Sequence, residues 1–257
     1  MGKAIVLTDI KVESPIKKIT VVPEPTELDI NYKKYMTRSG RSATPQLLNM
    51  VKELDDNGLF SIMNEFYYLA NPTNSVDAAK FNIVDGGDTK LDVVGAPNIT
   101  PTGYKSSSAN WFRTKPANLY LGFLCVITVS DIVTPAFPAF EWGNNYSTFS
   151  FNWPNSYAAI GDYRIHGSDV EGIDKKTSHI FHHNGGIRFN YRLRNFSKTV
   201  DSNINGNNVP FGIGRRNIGA DEASGSTFKF FASWNIAVNE TQILKIKEIF
   251  EKYEVLL

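Results

Sequence analysis

The possible folds are limited most by the long middle part of the chain, residues 119–214, which consists of short strand-like segments. Residues 119–130 are apolar on both sides and therefore predict a central strand. Residues 146–153 alternate, so that their aromatic side chains share one side. Further strands are predicted at 156–161, 180–183, 186–194 and 209–214. Turns rich in Asn, Gly and Pro separate these segments without an intervening helix, which predicts a mainly β protein built as an antiparallel β-sandwich.

One more strand and a helix close the sequence. Residues 228–234 alternate, and an amphipathic helix is predicted after them. Asn239 is a favourable N-cap residue, and Gln242 stands three residues later, which is the spacing of a capping box. The apolar residues of this helix recur at helical spacing: Ile243, Ile246, Ile249, Phe250 and Tyr253.

The first forty residues predict an extended arm rather than a domain. Pro15, Pro23 and Pro25 divide them into short β segments, which suit an arm that adds strands to a partner. We predict that this arm docks through its apolar residues: Ile5, Leu7, Ile10, Val12, Ile16, Ile19 and Val21. The alternative interpretation is an edge hairpin that packs on its own domain.

Residues 41–70 predict a short helical pair. Thr44 and Pro45 suit an N-cap and a first helical position, and Gly58 suits a C-terminal cap. Each helix has an apolar face, formed by Leu47, Leu48, Val51 and Leu54 in the first and by Leu59, Ile62, Met63, Phe66 and Tyr67 in the second. Such short helices must pack on the β domain or on a neighbour. We therefore divide the chain into an arm (1–40), a helical pair (41–70) and a β domain (71–257).

The composition excludes several function classes. The formal net charge of +1 argues against a nucleic-acid-binding surface over the whole protein. Cys125 is the single cysteine, and its apolar neighbours predict a buried, inert thiol. No segment is apolar for long enough to span a bilayer, and the first apolar run is too short for a signal peptide. We expect a chain made in a cytoplasm, with no nucleic-acid partner and no membrane insertion.

The closing segment resembles the end of concanavalin A-like jelly-roll domains of the laminin-G and pentraxin type. Such domains often end with a strand that carries an Ile-Gly-Arg step, a further strand and a capped helix. The matching positions are Phe211, Ile213, Gly214, Arg215, Asn235, Val238, Asn239 and Gln242. The resemblance implies that residues 71–257 form a jelly roll. The alternative is an unrelated antiparallel β domain with a terminal helix.

The order of the pieces resembles structural proteins of tailed bacteriophages, those of Bacteroidales (crAss-like) phages and related prophages in particular. The segment KAIVLTDI opens the arm, and the helical pair is followed by YLANPTN and AKFN before the β domain. This resemblance implies a virion protein made in the bacterial host cytoplasm. Its implied partners are phage capsid or tail proteins, and a symmetric homo-oligomer is implied as well.

No catalytic or metal site is predicted. Glycoside hydrolases need two carboxylates about 5–9 Å apart across one cleft, yet residues 146–153 contain no acid and Glu141 stands alone. Acidic clusters that could bind calcium are Asp85 with Asp88 and Asp169 with Glu171 and Asp174, which we interpret as solvated loop acids. On a strand, His179, His182 and His183 would not all point to one side, so they would not bind one zinc ion together. We expect no cofactor, with calcium as the alternative.

Aromatic and amide side chains suggest a glycan site. Sugar rings have apolar C–H faces and polar hydroxyls, so they bind flat aromatic faces beside amides. The candidate residues are Trp142, Asn144, Asn145, Tyr146, Trp153 and Asn155. The competing interpretation is that the tryptophans belong to the core and the asparagines to turns.

These patterns favour a non-enzymatic virion protein, such as a capsid decoration, head-fibre or tail accessory protein. It would display its jelly roll as an adhesin toward host-surface glycans, and many copies on one particle would make weak sugar binding useful. One alternative is a carbohydrate-active enzyme of the same fold. Another is a purely structural stabiliser without a glycan site.

Overall fold

A computed structural model of the protein describes residues 25–42, 44–107, 109–115, 123–131, 138–142, 147–153, 155–160, 163–165, 178–183, 188–193, 196–201, 210–214, 225–234, 236 and 238–257. Side chains are described in 25–42, 44–107, 109–115, 126–131, 178, 180, 210–214, 225–234, 236 and 238–257.

The first sheet has eight strands, and all its pairings are antiparallel. Its main path runs in the order β13 (Phe196–Asp201), β12 (Arg188–Leu193), β11 (Ser178–His183), β6 (Phe123–Asp131), β15 (Thr227–Trp234), β4 (Gly103–Lys105) and β3 (Asn98–Thr100). The eighth strand, β1 (Glu65–Tyr68), also pairs with β15. The predicted central strand at 119–130 is therefore β6, which lies between β11 and β15.

The second sheet has seven strands and is antiparallel as well. Its order is β10 (Tyr163–Ile165), β9 (Asn155–Ile160), β8 (Ser147–Trp153), β7 (Pro138–Trp142), β14 (Phe211–Ile213), β5 (Trp111–Arg113) and β2 (Asp92–Val94). The alternating segments of the sequence thus become strands close to where they were predicted.

The two sheets pack face to face through aromatic side chains. Tyr104 of β4 meets Phe112 of β5 with ring centroids 4.9 Å apart, and Phe231 of β15 meets Phe211 of β14 at 5.5 Å. These rings are fully buried, so they exclude water from the space between the sheets. The prediction of a mainly β protein with antiparallel sheets is confirmed, and the arrangement is that of a β-sandwich.

Helices cover the outer face of the first sheet. They are α1 (Glu27–Ser39), α2 (Pro45–Asp56), α3 (Val76–Lys80) and α4 (Glu240–Leu256). On β15, Phe230, Ala232 and Trp234 face the helices, and Phe250 of α4 packs edge-on against Phe230 at 5.8 Å. A second apolar core therefore lies between the helices and the first sheet.

The C-terminal helix is confirmed as predicted. The Asn239 side chain accepts a hydrogen bond from the Gln242 N–H, and the Gln242 side chain accepts one from the Asn239 N–H, both at 2.9 Å. This capping box satisfies two N–H groups at the start of α4. The buried residues of α4 are the five predicted ones: Ile243, Ile246, Ile249, Phe250 and Tyr253.

The prediction of an extended arm up to residue 40 is wrong for its last part, because residues 27–39 form α1. A capping box between Thr26 and Asp29 starts this helix, and Gly40, in the left-handed conformation, ends it. Leu28, Tyr32 and Tyr35 recur at helical spacing, and their burial in the core stabilises the helix. In the described residues, the helical pair thus consists of α1 and α2.

The predicted second helix at residues 59–67 is also wrong. After α2 the chain makes a turn, and residues 65–68 form β1. Phe66 and Tyr68 face the helices, whereas Glu65 and Tyr67 face the second sheet. Because both sides of β1 are buried, its apolar residues are consecutive and do not show the alternation that marks a half-buried strand.

The glycine of the closing motif has a steric role. Gly214 follows β14 with φ +76°, a left-handed conformation that suits glycine. A Cβ atom at this position would lie 2.3 Å from the Cβ of Ser106 and 2.8 Å from the ring of Phe228. The glycine thus allows β14 to approach the first sheet closely.

Candidate functional site

The predicted glycan residues divide between two ends of one strand. Trp142 pairs with Ser147 at the start of β8, whereas Trp153 ends β8 and pairs with Asn155. Six residue steps separate the two ends, which corresponds to about 20 Å. Asn144, Asn145 and Tyr146 lie outside the described residues. The strand register therefore does not bring Trp153 and Asn155 together with Trp142.

The predicted docking residues Ile5, Leu7, Ile10, Val12, Ile16, Ile19 and Val21 all lie outside the described residues. Their role as an attachment segment stays a prediction. All seven precede Thr26, the N-cap residue of α1, in the sequence.

The acidic loop at residues 85–88 makes internal contacts. The Asp85 carboxylate accepts hydrogen bonds from the N–H groups of Gly87, Asp88 and Thr89, at 3.0, 3.0 and 2.7 Å. The Asp88 carboxylate forms an ion pair with Arg38 of α1. The bonds of Asp85 fix the conformation of the loop, and the ion pair of Asp88 holds the loop on α1. The two acids therefore have structural roles.

Other candidate metal ligands are not described at the side-chain level. Asp169, Glu171 and Asp174 lie outside the described residues, and of His179, His182 and His183 only the backbone positions on β11 are described. Among the side chains that the structure describes, no group of three His, Cys, Asp or Glu residues could hold a metal ion.

Glu65 is the most unusual described carboxyl group. It is 3% exposed and faces the second sheet. Its two oxygens accept hydrogen bonds from the hydroxyls of Ser233 (3.0 Å) and Tyr67 (3.1 Å). Burial raises the pKa of Glu65 to about 7, against the effect of these two hydrogen bonds. The carboxyl group is enclosed, so a substrate in solvent has no access to it.

A surface pocket of about 270 Å³ opens where the helices meet the first sheet. Its walls come from the α1–α2 connection, the start of α2, the end of β1, the turn that follows β1, the β3–β4 turn and the end of α4. The polar lining residues are Arg41, Ser42, Thr44, Gln46, Tyr68, Asn71 and Thr73, and the others are Gly40, Pro72, Pro101, Leu256 and Leu257. No Asp or Glu side chain is among them.

Arg41 holds the wall of this pocket together. Its guanidinium group donates hydrogen bonds to the carbonyl oxygens of Ala78 (2.9 Å), Ala70 (2.7 Å) and Tyr68, and it stacks over the Tyr68 ring at 4.7 Å. The same ring stacks against Phe230, with centroids 5.2 Å apart, and Tyr68 is 6% exposed. Tyr68 therefore has no open face on which a sugar could stack.

Sequence reasoning missed this pocket. Its lining residues come from four separated segments, around residues 40–46, 68–73, 101 and 256–257. The polar run before Thr44 carries no motif, and the pocket forms only when α1, β1 and α4 are packed together. The sole local signal was an arginine placed between two helices.

No helix in the described part of the chain combines the length and the apolar character that crossing a membrane would require.

Comparison with known proteins identifies similar structures but no family. No protein-family model and no curated protein matches the sequence. The chain is similar to a Trypanosoma rangeli sialidase in complex with 2-keto-3-deoxy-D-glycero-D-galacto-2,3-difluoro-nononic acid, with a TM-score of 0.54 and 12% identity over 80% of this chain and 39% of that one. It is also similar to the binding domain of botulinum neurotoxin serotype D, with a TM-score of 0.50 and 9% identity over 74% of this chain and 52% of that one.

The chain spans about half or less of the length of these two proteins. At 9% and 12% identity the likeness shows a shared fold alone.

Proposed function

We propose that this protein is a non-enzymatic, glycan-binding virion protein whose sandwich is a jelly roll of the concanavalin-like type. The observation that carries the proposal is the two-sheet antiparallel sandwich, a fold shared with a sialidase and with a neurotoxin binding domain. The sialidase is in complex with a sugar acid derivative, and the neurotoxin domain is a binding domain. The proposal extends sugar recognition, but not hydrolysis, to this chain.

Among the described carboxyl groups, Glu65 is not placed for hydrolysis. Glycosidases hold two carboxyl groups on either side of an open cleft. Here Glu65, whose pKa is raised to about 7 by burial, is enclosed between the sheets and bonded to Ser233 and Tyr67. This carboxyl group stabilises an internal contact and does not face a cleft.

We place the glycan site at the β7–β8 end of the second sheet, with Trp142, Asn144, Asn145 and Tyr146. In the sequence this group combines aromatic and amide side chains, which together suit a sugar. Trp153 and Asn155 lie about 20 Å away at the other end of β8 and form a separate pair. The two sets can therefore be tested independently.

The virion role rests on the order of the pieces in the sequence. An arm that ends before α1 would dock on a capsid or tail partner through main-chain hydrogen bonds and small apolar anchors. The sandwich would then be displayed in many copies, and avidity would strengthen weak sugar binding.

The test is a glycan array probed with the chain immobilised on beads at high density. We expect binding to bacterial surface glycans that Trp142→Ala weakens about tenfold, since a sugar–aromatic contact is worth about 1.4 kcal/mol. Trp153→Ala is the matched control, with binding close to that of the unchanged chain. An array without any bound glycan would refute the proposal, and release of sugars from a bound glycan would favour the enzyme alternative.

A further inference from the structure

We propose that the Arg41 pocket is a binding site for a monocarboxylated sugar. The pocket lies on the helical side of the first sheet, away from the second sheet that carries Trp142. The inference is therefore independent of the glycan site proposed above. It rests on the charge, the open hydrogen-bond donors and the size of this pocket.

Arg41 brings a positive charge into the pocket, and no Asp or Glu side chain lines the pocket to balance it. Three backbone carbonyls accept from its guanidinium group, and among the described residues it forms no ion pair. A guanidinium has five N–H groups, and besides these three bonds Arg41 also interacts with the Tyr35 hydroxyl, so at least one N–H group stays available. Burial raises the pKa of Tyr32 and of Tyr35, and the positive charge of Arg41 acts in the opposite direction on both. A ligand carboxylate would complete this arrangement.

The first turn of α2 adds a second positive element to the same wall. Thr44 occupies the N-cap position, but its side chain makes no capping hydrogen bond and instead donates to the Ser42 carbonyl. The Thr44 side chain therefore does not cap the N–H groups in the first turn of α2. Open N–H groups and the helix dipole both favour an anion at this position.

A buried amide provides an independent indication of a ligand. Asn71 is 3% exposed and lines the pocket. Its Oδ1 accepts hydrogen bonds from the Thr73 N–H and hydroxyl, both at 2.7 Å, which fixes the orientation of the amide. Its Nδ2 group has no acceptor among the described residues. A ligand oxygen in the pocket can therefore accept a hydrogen bond from this group.

Charge and size select the ligand class. One formal positive charge matches a monoanion, because a dianionic phosphate would keep an unbalanced charge in a half-buried site. The hydroxyl and amide groups of Ser42, Asn71 and Thr73 suit a ligand that carries hydroxyls. A volume of about 270 Å³ is just below the range of about 300–1,000 Å³ usual for drug-sized ligands. The pocket therefore fits one sugar ring with a carboxylate, such as a hexuronate.

The test is an NMR titration of the full chain with glucuronate and galacturonate. Glucose, acetate, inorganic phosphate and N-acetylalanine serve as comparison ligands. We expect a hexuronate to bind at least about tenfold more tightly than each of them, a difference of about 1.4 kcal/mol. Equal binding of glucose would show that the carboxylate of the ligand does not contribute to its binding. Equal binding of acetate, phosphate or N-acetylalanine would show that the sugar ring does not contribute to binding. Either result would overturn the proposal.

Gln46→Glu tests the site without disturbing the fold. A glutamate at the second position of a helix favours the helix dipole, yet it places a negative charge in the pocket. We expect hexuronate affinity to fall at least about tenfold through charge repulsion. The matched control is Thr241→Glu, which adds the same charge at the second position of α4 and should leave the affinity within about twofold. Equal affinities of the two variants would overturn the proposal.

One further preparation controls for the end of the test protein. Leu257 lines the pocket, and its carbonyl oxygen accepts from the Tyr68 hydroxyl at 3.4 Å. A 257-residue test protein therefore carries a terminal carboxylate beside the pocket. Two added glycines move that charge away, and we expect equal or tighter hexuronate binding. Weaker binding after this extension would overturn the proposed attraction for anions.

Discussion

Glu65 shows how one buried carboxyl group can make the stability of the fold depend on pH. Burial raises its pKa from 4.5 to about 7, and the negative charge of Asp85 acts in the same direction. The hydrogen bonds from Ser233 and Tyr67 act in the opposite direction, but burial outweighs them. Between pH 4.5 and 7 the folded protein keeps a proton that the unfolded chain releases. The stability contributed by this group is therefore present at low pH and is lost as the pH rises through that window.

The variant Glu65→Gln should remove this dependence. The amide preserves the shape of the side chain, whereas no charge needs to be buried at high pH. At about 1.36 kcal/mol per pH unit, the pKa difference corresponds to about 3 kcal/mol. We expect the free energy of unfolding of the variant, relative to the unchanged chain, to increase by about 3 kcal/mol from pH 4.5 to pH 8.

Urea unfolding at several pH values measures the effect of Glu65→Gln. The control is Glu248→Gln, which changes an exposed carboxyl group on α4. Its effect should be small and nearly constant over the same range. A difference for Glu65→Gln that does not change with pH would contradict the assignment of this pKa to Glu65.

The helices of this protein start in two different ways. Asn239 and Gln242 form a reciprocal capping box at the start of α4. Thr44 precedes α2 in the same position, but its hydroxyl bonds to Ser42 instead of to the helix. The same residue preference in the sequence thus leads to one satisfied and one open helix start.

This difference predicts unequal costs for two similar substitutions. Asn239→Ala should lower the free energy of unfolding by about 1 kcal/mol, because the Gln242 N–H group loses its acceptor. Thr44→Ala should cost less than about 0.5 kcal/mol, since no capping bond is lost. Thermal or urea unfolding of both variants measures the difference. Equal costs would mean that the Thr44 hydroxyl caps α2 in solution.

The sequence predicted those elements whose pattern is local. Apolar and alternating patterns identified part of both sheets, including β6, β8 and β15, and α4 was recognised from its capping box and apolar face. The box between Thr26 and Asp29 has the same spacing, but the preceding prolines and the lysines within α1 concealed the helix. β1 was taken for a helix because both its sides are buried.

The candidate sites were less predictable than the strands, because they depend on packing between distant segments. Arg41, Asn71 and Leu257 meet in one pocket although they are far apart in the sequence. No local pattern could bring them together. The predicted glycan residues were grouped because they are close in the sequence. In the strand register, however, Trp142 and Trp153 lie at opposite ends of β8.

At the scale of the whole molecule, the helical layer belongs to the sandwich and not to the arm. Tyr35 of α1 is fully buried in the core between the helices and the first sheet. Asn31 donates to the Val84 carbonyl at 3.2 Å, and Arg38 donates to the Gly86 carbonyl at 3.0 Å. A docking arm, as proposed, therefore ends before Thr26, where α1 begins.

Two truncations test this boundary. A chain that starts at Pro25 keeps the capping box and all the contacts of α1, so its free energy of unfolding should stay within about 1 kcal/mol of the full chain. A chain that starts at Arg41 lacks α1, and the loss of even one buried aromatic side chain costs about 3–5 kcal/mol. We expect the second chain to be destabilised by at least that amount in urea unfolding.

Binding to phage particles that lack the protein separates attachment from stability. If the arm docks on a capsid or tail partner, the chain that starts at Pro25 should fold and bind glycans, but it should not attach to the particles. Attachment equal to that of the full chain would move the docking surface onto the sandwich. A large loss of stability in this chain would show instead that residues 1–24 pack on their own domain, the hairpin alternative. In either case attachment and display would no longer reside in separate parts of the chain.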